Sequence, residues 1–66
     1  MKLYEVPRNT KIVLKQPAGH PPDSLTPEVG ETYQFKHIDG MYSYCVRLSD
    51  NKVVHIPAWA EVEVIK

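Results

Sequence analysis

Residues 33–48, Tyr-Gln-Phe-Lys-His-Ile-Asp-Gly-Met-Tyr-Ser-Tyr-Cys-Val-Arg-Leu, are the stretch on which the reading of this chain turns. Asp39-Gly40 separates two runs rich in aromatic and aliphatic residues. That is the pattern of a two-residue type I′ hairpin, whose central residues both need positive φ. With Asp39 and Gly40 as the turn, Ile38 faces Met41, His37 faces Tyr42, Phe35 faces Tyr44 and Tyr33 faces Val46. Alternation then gathers Tyr33, Phe35, Tyr44 and Val46 on one face as half of a core, with His37 and Tyr42 at its turn end. Gln34, Lys36, Ile38, Met41, Ser43, Cys45 and Arg47 fall on the other, mixed face.

On the N-terminal side, residues 1–7 read as an extended lead-in anchored by Leu3 and Val6, and Arg8-Asn9 as a turn. Residues 11–15 form a short strand with Ile12 and Leu14 pointing inward. Residues 16–30 hold four of the six prolines (Pro17, Pro21, Pro22 and Pro27) and follow neither a strand nor a helix period, so they read as one long loop. Within it, Thr26-Pro27-Glu28 has the form of a capped single helical turn. On the C-terminal side, Ser49 to Lys52 is a turn and residues 53–56 the next strand, with two registers open. A two-residue turn at Asp50-Asn51 pairs Leu48 with Val53 and sends His55 inward. A three-residue loop pairs Leu48 with Val54 and Val46 with Ile56, leaving Val53 and His55 outside beside Arg47. The second is preferred because it buries two β-branched residues and keeps an imidazole out of the core. Residues 57–60 suit a 3₁₀ turn, and residues 61–65 a last strand with Val62 and Val64 inward.

The expectation is therefore a single all-β domain over residues 1–66. It resembles a small SH3-like five-stranded barrel with a long Pro-rich loop and a 3₁₀ turn before the last strand. The tryptophan with which SH3 domains grip proline-rich peptides has no counterpart at the start of the middle strand. The acidic loop opposite it is also missing, which argues against that mode of peptide binding.

At 66 residues the core is small, and a chain of this size buries only about 60% of its unfolded surface. Assembly of several copies is one way to make up the difference. Cys45 is the only cysteine, so no disulfide forms within the chain, and a lone thiol without a signal-like N-terminus points to a reducing cytoplasm. No apolar run approaches the ~20 residues of a membrane span. Eight basic and eight acidic residues cancel, which argues against nucleic-acid binding driven by a global field.

His37, Cys45 and His55 lack the spacing of a metal site or of a Cys-His catalytic pair, so neither a metal nor an enzymatic activity is expected. Tyr42 at the hairpin tip and Trp59 in a connecting turn are the rings free to stack on a base, a contact worth about 1–3 kcal/mol each. Lys36, Arg47, His37 and His55 are the candidates for phosphate oxygens, Arg47 foremost because its fork binds bidentately. Ile38, Met41, Cys45 and Val53 make an apolar patch expected to join copies of the chain.

Residues 1–12 (Met-Lys-Leu-Tyr-Glu-Val-Pro-Arg-Asn-Thr-Lys-Ile), 35–45 (Phe-Lys-His-Ile-Asp-Gly-Met-Tyr-Ser-Tyr-Cys) and 54–58 (Val-His-Ile-Pro-Ala) resemble small early proteins of tailed bacteriophages. Among these the chain resembles the anti-CBASS sponge family, related to a small T4 phage protein. The resemblance implies a cofactor-free immune-evasion protein acting in the cytoplasm of the infected bacterial host. Such a protein binds a cyclic dinucleotide such as 3′3′-cyclic GMP-AMP between subunits without cleaving it. Two alternatives stand beside it: an inhibitor that docks on a host protein through the outer hairpin face, and a small nucleic-acid-binding barrel.

Overall fold

The computed structural model describes residues 1–19 and 25–65. Five antiparallel strands form one sheet: β1 (Thr10–Leu14), β2 (Thr32–Asp39), β3 (Tyr42–Arg47), β4 (Lys52–Val54) and β5 (Val62–Val64), in the order β4-β3-β2-β1-β5. The architecture is all-β, as the alternation implied. The ladder does not close on itself, because β4 and β5 are its two edges. No helix of the described residues is long and apolar enough to cross a membrane.

The hairpin differs from its sequence reading in two ways. Asp39 pairs with Tyr42, so the central residues are Gly40 and Met41 rather than Asp39 and Gly40. Of these only Gly40 has positive φ, at 67°. A turn with glycine at its first central position needs only that one residue in the left-handed region, and it spares Asp39 the cost that a type I′ turn imposes. Moving the turn by one residue at each end carries the pairing two places along β3 and leaves the faces unchanged. The faces change further on, where the register shifts between Phe35 and His37. Lys36 is the extra residue of this β-bulge. Phe35 then pairs with Cys45 and Tyr33 with Arg47. A single inserted residue reverses which side chains of the partner strand share a face with Phe35. Tyr33 and Phe35 are buried as expected, but Ser43 and Cys45 join them in the core while Tyr44 and Val46 turn outward.

At the next turn neither expected register occurs. Arg47 pairs with Lys52, Val46 with Val53 and Cys45 with Val54, across a four-residue loop. Asn51 makes this loop fit: it takes φ 59° and donates its N–H to the Arg47 carbonyl at 2.7 Å. Asparagine tolerates that conformation better than most side chains. The preferred orientation is nevertheless right, since Val54 and Ile56 are buried and Val53 and His55 lie outside the core.

The remaining core is Leu3, Val6, Ile12, Leu14, Ala60 and Val62, with Val64 packed against it. Ile12 and Leu14 of β1 lie opposite Val64 and Val62 of β5. The lead-in is not extended: Leu3–Glu5 form a 3₁₀ turn, held by the Glu5 carboxylate accepting the Lys2 N–H at 2.8 Å. Residues 57–60 form a single turn closed by the i+3→i bond of a 3₁₀ turn, Ala60 N–H on Pro57 O at 3.0 Å, which does not extend into a longer 3₁₀ element like Leu3–Glu5. The segment 56–60 runs between two parts of the molecule. On one side Ser43 N–H donates to Ile56 O and Ala58 N–H to Met41 O; on the other, Leu3 and Tyr4 donate to Ala60 O and Ala58 O.

The expected helical turn at Thr26-Pro27-Glu28 is also absent. The Glu28 N–H instead donates to the buried Tyr33 hydroxyl at 2.9 Å, and Pro27 is buried beside it in the chain. Gly30, at φ 87°, returns the chain with its N–H on Leu14 O at 2.9 Å. The part of the expected loop at 20–24 lies outside the described residues.

Candidate functional site

Two residues apart on β3, Tyr42 and Tyr44 share its outer face. Around them the sheet gathers three more rings. His37 stacks on Tyr44 with centroids 5.6 Å apart and planes 13° from parallel. His55 meets Tyr44 edge-on at 6.0 Å. Trp59 stands 6.5 Å from Tyr42 with the planes inclined by 42°. The bulge at Lys36 creates this row, because without it Tyr44 would share the core face with Phe35. Four of the sequence candidates (Tyr42, Trp59, His37 and His55) are thus brought onto one surface.

Tyr44 was read as a core residue and is instead the centre of that surface, 37% exposed. No local signal marks it, since its outward turn depends on a bulge in the neighbouring strand. Tyr4 is a second residue the sequence reading passed over. It is 61% exposed, and its N–H donates to the carbonyl of Ala58, the residue before Trp59. Trp59 itself is 52% exposed, so its ring is open to a ligand.

Each imidazole has Nδ1 against a backbone carbonyl, His55 in a part-buried contact across the sheet and His37 in an exposed one with its neighbour in the chain. His55 Nδ1 lies 3.0 Å from Ser43 O and His37 Nδ1 lies 3.3 Å from Ile38 O. A carbonyl only accepts, so each Nδ1 carries the proton and donates it. In its neutral form, a ring making this contact has a lone pair, not a proton, at Nε2.

The basic candidates are dispersed. Lys36 sits at the bulge next to His37. Arg47 lies at the far end of β3, where its guanidinium grips Asp50 through Nε to Oδ1 at 3.0 Å and Nη2 to Oδ2 at 2.7 Å. This bidentate pair holds the Asp50 carboxyl below its usual range and Arg47 firmly protonated. Arg47 is a brace for the β3–β4 loop, with its fork already occupied.

The expected interface is partly corrected. Met41, 65% exposed, stands out at the hairpin tip, and Ile38 and Val53 are partly exposed. Cys45 is fully buried and does not belong to that patch, because the bulge turns it into the core. Its thiol lies 3.2 Å from the Ser43 hydroxyl, which itself donates to Ile56 O at 2.8 Å. Burial pushes the Cys45 pKa up to about 11, the opposite of what a nucleophilic thiol requires.

Among the described residues there is no enclosed pocket and no cluster of three or more acidic, histidine or cysteine side chains suited to a metal ion. The surface of rings is an open face. No protein-family model, no curated protein and no solved structure matches the chain.

Proposed function

We propose that this protein is a non-catalytic binding module that captures a nucleotide-class ligand, and that the ligand is a cyclic dinucleotide such as 3′3′-cyclic GMP-AMP. The observation that carries the reading is the run of five rings on one outer face, Trp59–Tyr42 continuing into His37–Tyr44–His55. Base–aromatic stacking contributes about 1–3 kcal/mol per base and tolerates different bases, so a surface of this kind suits a ligand carrying two. One base stacks on the exposed ring of Trp59, beside Tyr42. Lys36 and the two imidazoles supply contacts to the phosphates. The only cysteine is buried, with its pKa raised to about 11, so it does not attack the ligand, which in this reading leaves unchanged. The resemblance of residues 1–12, 35–45 and 54–58 to the phage sponge family implies the same ligand class and a role in the host cytoplasm.

An open face encloses only one side of a ligand. In this reading a second copy covers the other side, meeting the first through Ile38, Met41 and Val53, and the strand order is that of an opened SH3-like barrel. Native mass spectrometry with a panel of cyclic di- and trinucleotides tests both parts together. The expected result is an oligomer that gains intact ligand, with Met41→Asp reducing it to monomers. Trp59→Ala weakens binding by about tenfold, the loss of one stacked base. A monomer that takes up none of the panel refutes the proposal.

The exposure of Met41 favours a second reading, an inhibitor docking on a host protein through the hairpin tip. That reading expects no nucleotide uptake and a Met41→Asp variant that stays folded while losing its partner.

A further inference from the structure

Both imidazoles of the ring surface have Nδ1 against a backbone carbonyl, most firmly at His55, and this has a chemical consequence for any anion. A phosphate oxygen accepts hydrogen bonds and cannot donate one to a lone pair. A neutral histidine commonly meets a phosphate by moving its single proton to the nitrogen that faces the ligand. Here that proton is engaged at Nδ1: at His55 in a part-buried contact with Ser43 O at 3.0 Å, and at His37 in an exposed contact with Ile38 O at 3.3 Å. Moving it to Nε2 would leave two ring lone pairs facing carbonyl oxygens. For His55 the carbonyl belongs to the fully buried Ser43, at a part-buried bond, where a lost partner is costly. The remaining way to present a donor at Nε2 is to add a second proton to the ring.

We infer that the His37–Tyr44–His55 row is a proton-coupled anion site, taking up a proton at each Nε2 as a phosphate-bearing ligand binds. The inference rests on the ligand class proposed above. Tyr44 suits the task, because its π-face accepts the cationic ring of His37 stacked against it. The charged neighbours form no ion pair with either ring, although Asp39 lies two residues from His37 on the same face of β2. On β2 they are Lys36, beside His37, and Asp39, at the tip opposite Tyr42. Arg47 at the end of β3 and Asp50 in the loop after it neutralise each other. On β4 the charged residue is Lys52, and on β1 it is Lys11, opposite Gln34. Among the described residues no carboxylate is ion-paired with either imidazole. The ligand's own phosphates are then the counter-ions, so protonation and binding drive each other. By linkage the coupling is reciprocal: the anion raises proton affinity as much as protons raise anion affinity. Imidazole changes charge between about pH 5 and 8, so the effect falls in the range where a cell operates.

The test is calorimetry of the folded chain with 3′3′-cyclic GMP-AMP at pH 6.5, 7.5 and 8.5, in buffers of differing ionisation enthalpy. The expected result is affinity that falls by up to about 100-fold per pH unit at the alkaline end for two protons, with heats that depend on the buffer. His37→Gln and His55→Gln each carry an uncharged amide donor in place of the ring, and each removes one proton from the coupling, leaving up to about tenfold per unit. A merely structural histidine would change affinity without changing this slope. Affinity flat across the range, with buffer-independent heats, overturns the inference and leaves the ligand reading intact. If no cyclic nucleotide binds, the ligand reading fails. Sodium pyrophosphate then decides the coupling alone, followed by the ring C–H signals of His37 and His55 over a pH titration. An alkaline displacement of both midpoints by the anion supports the inference, and unmoved midpoints overturn it.

Discussion

Exchanging Tyr44 and Cys45, one at a time, for aspartate tests the bulge at Lys36 on which the whole surface depends. Cys45 is 0% exposed and no cation is paired near it, so Cys45→Asp puts an ionisable carboxyl into the core. The effective penalty for an uncompensated buried ion is several kcal/mol. A core of this size supplies only about 3–5 kcal/mol of stability, so the variant should be unfolded at neutral pH. Tyr44 is 37% exposed, and its aspartate stays in water. The loss there is two ring contacts, with His37 and His55, each worth about 0.5–1.5 kcal/mol. Tyr44→Asp should remain folded, with its stability lowered by about 1–3 kcal/mol. Urea denaturation followed by circular dichroism, with amide NMR dispersion as the check on folding, separates the two. A hairpin with unbroken alternation predicts the reverse ranking, because there Tyr44 faces the core and Cys45 the solvent. A folded Cys45→Asp beside a collapsed Tyr44→Asp would therefore refute the argument from the bulge.

Tyr33→Phe removes the hydroxyl that accepts the Glu28 N–H. It should cost about 1 kcal/mol, a fall in Tm of about 4–8 °C for a domain of this size, measured by thermal melts. The Cys45 thiol, with its pKa at about 11, should resist alkylation at pH 8 in the native protein and react fully in urea. Equal rates in the two conditions would contradict its burial. Asp50 and Glu61 both have depressed pKa values, Asp50 first through its hydrogen bond to Arg47 and Glu61 first through the N-terminal amine and then Lys2. A carboxylate depressed in the folded state stabilises it above the unfolded pKa, and this is lost as pH falls through the folded value. Stability should therefore decline below about pH 4, and Asp50→Asn with Glu61→Gln should flatten that decline in acid titrations.

Much of the fold follows from local chemistry that any short window of the sequence contains. Ile12 and Leu14 lie two apart between Lys11 and Lys15, Tyr33 and Phe35 alternate with polar residues, and Val62 and Val64 flank Glu63, so five short strands and most of the core are legible. The orientation of Val54 and Ile56 follows from the cost of burying an imidazole. What the sequence could not reveal is the pairing between strands, because register depends on backbone choices that leave no mark on the alternation itself. Gly40 alone satisfies the hairpin turn, so Asp39 joins the strand. Asn51 lets the next loop take four residues. One surplus residue, Lys36, reverses the partners of Phe35, and that reversal is worth more to the candidate site than any side chain in it. It buries Cys45, which had looked like an interface residue, and frees Tyr44, which had looked like core. The five-ring surface and the His55–Ser43 contact exist only because the tertiary structure brings β2, β3 and the segment after β4 side by side.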